Sequence, residues 1–188
     1  MGDTKPDRKK TELSDGNIVL RPYRTEYVET TYRAIKDSIT ELALWLPFAH
    51  GEYSIKETRE WVKSRPAAWK KGASYEFAIF DAKDGTTIGG CGLNGINEEG
   101  ICANLGYWVR TGYTGRGIAP AATLLLAKWG FEMLKLNRIE IVVAVNNARS
   151  LRVAEKVGAK REGILRNRIA VRDKVYDAVM HSFIPGEI

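Results

Sequence analysis

The stretch 107–119, Tyr-Trp-Val-Arg-Thr-Gly-Tyr-Thr-Gly-Arg-Gly-Ile-Ala, decides the fold. It begins as a strand ending near Val109, passes through a glycine-rich turn at 112–117 and enters a helix of about 118–134. Pro120 falls in the first turn of that helix, where its missing N–H costs nothing. Gly115 and Gly117 let the backbone close around a small anion, and the helix start adds unpaired N–H groups and the positive end of its dipole. No Lys-Ser/Thr pair follows, so this is not a triphosphate loop of the Walker kind. A plain strand-to-helix connection would use the same glycines, and the neighbouring segments have to decide.

Upstream, Ile18, Leu20 and Pro22 alternate with polar residues and predict a strand at about 17–24, behind a polar tail of residues 1–16. Helices follow at about 25–37 and 39–46. A third begins after Ser54, a capping residue, and Pro66 is expected to kink or interrupt it. Strands start at Tyr75 and at Thr86, joined by an Asp84-Gly85 turn. Glu98-Glu99-Gly100 turns the chain into a strand at 101–109. Within the helix of about 118–134, Leu124, Leu125, Trp129 and Met133 predict the buried face. Downstream, the apolar run from Ile139 to Val145 suits a central strand covered on both faces. A helix of about 148–157 closes at Gly158, and strands at about 159–171 and 175–184 form a last hairpin. The order of elements predicts one α/β domain with a mixed sheet.

Composition narrows the function classes. The chain has 188 residues, 44% hydrophobic and 28% charged, as folded domains do and disordered chains do not. No run of about 18 apolar residues is present, so no membrane helix is expected. The basic N-terminus lacks the apolar stretch of a secretory signal, which points to the cytoplasm. Cys91 and Cys102 have neither CxxC spacing nor histidine neighbours, which argues against a metal site or a disulfide framework. The formal charge is +6. It is split between Lys5, Arg8, Lys9 and Lys10 at the start and a second cluster from Lys160 to Lys174 that includes Arg161, Arg166, Arg168 and Arg172. Both read as solvated surface or as attraction for an anionic ligand. No helix-turn-helix signature or aromatic stacking set accompanies them, so nucleic acid is disfavoured as a partner.

Gly90-Cys91-Gly92-Leu93-Asn94-Gly95 matches the dinucleotide fingerprint GxGxxG but lies inside a hairpin strand with no helix opening after it. Glycines there are expected to permit close backbone approach. The turn at 112–117 has better company: Tyr107-Trp108-Val109 before it, then Asn147-Ala148-Arg149-Ser150, then Glu155-Lys156-Val157-Gly158-Ala159-Lys160-Arg161-Glu162-Gly163. In this order and spacing, residues 17–184 resemble the GNAT acetyltransferase superfamily, and within it the Rim-type ribosomal-protein N-acetyltransferases. The resemblance implies a mixed central sheet with a splayed strand pair and flanking helices, filling a domain of residues 17–188.

It also implies acetyl-coenzyme A as co-substrate, with no metal. The backbone of Thr114, Gly115, Arg116, Gly117, Ile118 and Ala119 is then expected to hold its pyrophosphate. The pantetheine arm would lie between the strands of Trp108 and Ile139–Val145, with the Val109 N–H as oxyanion donor and Asn147 bonding the pantetheine or capping its own helix. Arg110, Arg116, Arg149 and Arg152 flank these motifs and would meet the phosphates. Ser150 corresponds to the branch's general acid, and it also suits a helix start. The tyrosine that many other GNAT enzymes use instead is replaced by Ala154, which strengthens the case for Ser150.

The base is harder to place. Asn104 and Ile169 stand where relatives carry carboxylates, which leaves His50 or water held by Asn104. At pH 7 roughly one α-amine in ten is neutral, against roughly one lysine side chain in 2,500. A site without a dedicated base therefore favours an α-amine such as a protein N-terminus. A small amine (polyamine, amino acid derivative or antibiotic) is the alternative acceptor, and a non-catalytic acyl-coenzyme A-binding module the alternative of another class. Family members are often dimers, so a homodimer is allowed.

Overall fold

Alternation of apolar and polar residues builds the hydrogen-bonded ladder that organises the molecule, an eight-stranded sheet in the order β1-β2-β3-β4-β5-β6-β8-β7. The computed structural model describes residues 6–97 and 101–188. The turn read at Glu98-Glu99-Gly100, and Lys5 of the basic start, lie outside the described residues. The strands are β1 (Leu13–Ser14), β2 (Ile18–Pro22), β3 (Tyr75–Asp81), β4 (Thr87–Asn94), β5 (Cys102–Val109), β6 (Arg138–Ala144), β7 (Lys160–Val171) and β8 (Lys174–Phe183). The helices are α1 (Val28–Lys36), α2 (Ile39–Leu42), α3 (Ile55–Lys71), α4 (Ile118–Leu134) and α5 (Ala148–Lys156). This is the mixed α/β sheet that the sequence predicts.

The hairpin of β3 and β4 turns at Asp84-Gly85, where Gly85 takes φ 73° and the Asp81 N–H donates to the Thr86 carbonyl at 2.9 Å. The period of two divides the strands between faces. Tyr75, Phe77 and Ile79 pack with α4 in the main core, while Ala78 and Phe80 meet Tyr23, Val28 of α1 and Val62 of α3 on the other face. The glycines of β4 permit this second layer. A Cβ on Gly90 would overlap the Tyr23 hydroxyl, and one on Gly92 would overlap the Glu76 carboxylate. Close approach, not dinucleotide binding, explains the GxGxxG match.

Four expectations change. The helix α4 buries Ala122, Leu126, Ala127, Trp129 and Gly130, whereas Leu124 and Met133 are exposed. Nearly every position of α4 is apolar, so periodicity alone could not select a face. Close approach to the sheet selects it, since a Cβ on Gly130 would lie 2.9 Å from Leu93 Cδ1. Pro66 does not end α3, which runs on to Lys71 after a start at which the Glu57 carboxylate accepts the Ser54 N–H at 2.8 Å. The strand β6 is central, yet Glu140 and Val142 are only half-buried because their face borders open space. Finally, the polar N-terminal stretch is held down. Leu13 and Ser14 pair with β2, and the Trp69 indole N–H donates to the Pro6 carbonyl at 2.8 Å.

Candidate active site

The parallel pairing of β5 with β6 covers only Cys102–Asn104 against Arg138–Glu140. Beyond that point the strands part, as the splayed pair requires, and a cleft of about 1000 Å³ opens between them. Residues 104–109 of β5 form one wall and Ile141 to Ala144 of β6 the other. The turn before α4, the start of α5, Leu42, Trp45 and Ile169 complete its lining. A smaller hollow of about 350 Å³, shared through Asn104, Val142 and Ile169, adds Asn94, Cys102, Glu140 and Arg168.

Strand geometry arms the wall. The Arg110 N–H donates back to Ile88 of β4 at 2.8 Å. Alternation along the strand then turns the Val109 N–H away from β4, into the gap that β6 has vacated.

The turn entering α4 leaves a run of backbone N–H groups free at the start of a helix. Gly115 and Gly117 both take φ 79°, the left-handed region that other residues enter at a cost. A Cβ on either would meet nothing within 4 Å, so conformation and not crowding requires glycine. Among the described residues, the backbone N–H groups of Gly115, Arg116, Gly117, Ile118 and Ala119 donate to no protein acceptor. Replacing Gly117 with alanine is expected to cost on the order of 1–2 kcal/mol of stability from the forced left-handed φ alone. Denaturant unfolding of the ligand-free variant checks this.

At the start of α5, Asn147 Oδ1 accepts the Ser150 N–H at 3.2 Å, an N-cap from a residue that also lines the cleft. Ser150 Oγ lies 2.8 Å from the Tyr107 hydroxyl. Burial pushes the Tyr107 phenol up to about 12, with its bond to Ser150 pulling the other way. The phenol is therefore neutral at physiological pH and can donate to Ser150 while the Ser150 hydrogen points into the cleft.

The structure thus brings together Asn104, Trp108, Val109, Thr114, Gly115, Gly117, Ile118, Ala119, Asn147 and Ser150. The arginines divide. Arg149 and Arg152 line the cleft, joined by Lys156. Arg110 is instead ion-paired with Asp37, and Arg116 lies over the Tyr113 ring and donates to the Gly112 carbonyl. His50 is not among the lining residues. Its Nε2 lies 2.8 Å from the Glu57 carboxylate, because the loop after Trp45 folds onto the start of α3. Nor is the Lys160–Lys174 cluster simply surface: Arg168 lines the smaller hollow, and Arg172 donates to the Ala49 carbonyl at 2.9 Å.

Sequence reading missed two residues here. Tyr107 was visible only as part of a motif, and strand alternation was the signal that set it beside Val109 on the gap. Glu140, in register with Asn104, is the one acid in an apolar strand. It is tied to Arg138, whose Nε lies 2.8 Å from its Oε1. No cluster of His, Cys, Asp or Glu among the described residues could hold a metal. None of the described helices is long and apolar enough to cross a membrane.

Comparison with known proteins agrees with this geometry. Residues 17–160 match the acetyltransferase (GNAT) domain family. The chain is 26% identical over 183 residues to the uncharacterized N-acetyltransferase p20 of Bacillus licheniformis, covering 95% of this chain and 92% of that protein. It is 26% identical over 168 residues to the ribosomal-protein-serine acetyltransferase of Escherichia coli K12, covering 89% and 93%. Mycobacterium smegmatis RimJ, solved in complex with a coenzyme A disulfide, shares the fold with a TM-score of 0.85 at 24% identity, over 95% of this chain and 88% of that one. A split sheet, a cleft through the split and a family match over most of the length establish that the chain belongs to the GNAT family of acetyl-coenzyme A-dependent N-acetyltransferases.

Proposed function

We propose that residues 17–188 form a catalytic domain that acetylates the α-amine of a protein N-terminus, with a ribosomal protein as the acceptor class. The observation that carries this reading is Asn104, not a carboxylate, where β5 and β6 part. An acceptor that is already partly neutral near pH 7 suits such a site. The E. coli relative named for a ribosomal-protein serine points to the same class. Free Cys91 and Cys102 are in keeping with a cytoplasmic setting.

Acetyl-coenzyme A supplies an acetyl group activated as a thioester. The free N–H groups of Gly115 to Ala119 would hold its pyrophosphate, with Thr114 at the turn. Arg149 and Arg152 are better placed for its remaining charge than Arg110 or Arg116. Asn147 both caps α5 and offers an amide to the pantetheine, which would pass beside Trp108. The Val109 N–H would receive the carbonyl oxygen as negative charge develops there. The amine nitrogen bonds to the carbonyl carbon as the C–S bond breaks. Ser150 gives its hydroxyl proton to the departing thiolate and regains one from the attacking nitrogen through solvent. The products are an amide and a thiol.

Two measurements test this. Acetyl-coenzyme A at a hundred times its Kd should stabilise the fold by about 2.7 kcal/mol; no shift at millimolar ligand would refute the donor site. Thiol release should then be faster with peptides bearing a free N-terminus than with N-blocked lysine peptides or polyamines. A preference for polyamines would overturn the acceptor assignment.

A further inference from the structure

Glu76 of β3 carries the strongest unexplained chemistry outside the cleft. It faces β4 at Gly92, and its carboxylate occupies the space that a Cβ on Gly92 would need. Across β4, Gly92 pairs with Gly106 of β5, which lines the cleft. The charged and titratable groups around the carboxylate are Arg65 of α3, Tyr23 after β2 and Cys91 of β4. Burial chiefly, with the carboxylate adding to it, holds the Tyr23 phenol and the Cys91 thiol in their neutral forms. Burial also pushes the Glu76 carboxyl up to about 7, against the pull of Arg65 and of the Asn94 side chain within hydrogen-bonding reach.

From Asn94 the line continues to the cleft. The Asn104 amide donates from Nδ2 to Asn94 Oδ1 at 3.1 Å, and the two residues are partners in the β4–β5 ladder. An ionised carboxylate only accepts hydrogen bonds, so Asn94 must present its NH2 to Glu76 and its oxygen to Asn104. Asn104 then spends an N–H inward and keeps Oδ1 for the cleft. A protonated Glu76 can donate, which permits both amides to turn over and set an NH2 where the oxygen had been.

We infer that Glu76 is a positioning residue for the acceptor: its ionised carboxylate orients the Asn94–Asn104 amide pair so that Asn104 offers Oδ1 to the N–H of the attacking amine. With the amine held by that bond, its lone pair is free to face the thioester. The inference rests on the acceptor reading above, since it assigns the group that receives the amine.

The experiment is the pH dependence of kcat/KM for an α-amine peptide from pH 5 to 9, in the wild-type chain and in Glu76→Gln. The full rate in the wild type needs a neutral substrate amine and an ionised Glu76, so log kcat/KM should fall on the acid side with a slope steeper than 1. In Glu76→Gln only the amine remains and the slope should be 1. Asn94→Ala cuts the line while keeping Glu76, and its slope should also be 1. Equal slopes in all three proteins overturn the inference while leaving the acetyltransferase reading intact. A wild-type chain that releases no thiol with any α-amine peptide overturns the reading beneath it. Thermal stabilisation by acetyl-coenzyme A in each variant reports that the fold and donor site persist.

Discussion

Ser150→Ala is expected to lower kcat on the order of 100-fold while leaving the Kd for acetyl-coenzyme A within a few-fold of wild type. General acids contribute roughly 10²–10⁴ in rate. The low end applies because a thiol of reference pKa near 8.5 leaves with modest help. The loss should shrink as the pH rises past that value, where the thiolate departs unaided. The fold should tolerate the change, because the cap bond to Asn147 uses the Ser150 backbone N–H and not its hydroxyl. Thiol-release kinetics with calorimetric titration of the donor check both halves, and an unchanged kcat would remove Ser150 from the chemistry.

Trp129→Ala is expected to destabilise the fold by about 3–5 kcal/mol, the range for deleting a large aromatic from a core. Trp129 is 6% exposed and sits among Trp69, Tyr75 and Phe77, with ring centroids 5.4 to 5.7 Å away. These rings join α4 to α3 and β3, so the cavity would open where three elements meet. Trp69 in turn holds the N-terminal stretch through Pro6, which makes that stretch the first part expected to loosen. At this chain length each kcal/mol shifts Tm by roughly 2–4 °C, so a fall on the order of 10 °C should appear in a thermal melt.

The Ser150 prediction draws on both levels of description. Helix capping and motif spacing put Ser150 at the start of a helix. Its hydroxyl partner comes from a strand 43 positions earlier, and no local pattern pairs the two. The same separation explains His50. A histidine in an aromatic loop is legible as a possible base, but its position depends on where that loop lands. It lands on Glu57.

Local rules carry most of the framework. The hairpin at Asp84-Gly85, the cap at Ser54, the left-handed glycines at 115 and 117 and the period-two strands are short-range consequences of backbone sterics and hydrogen bonding. Periodicity fails where every position is apolar, as in α4, because burial preference then points in all directions at once. It also fails for β6, where an apolar run does not reveal that one face borders a cleft.

The residues 107–119 by themselves determined a strand, a glycine-rich turn and a helix in that order, because each follows from side-chain alternation, φ preference and helix-start signals. Tertiary structure alone decided that β5 and β6 pair for three residues and then part. It also set Ser150 against Tyr107 and hydrogen-bonded Asn104 of β5 to Asn94 of β4. Each of these depends on strands distant in sequence meeting in one register, and the physical cause is the packing of both sheet faces rather than any preference of the residues in isolation.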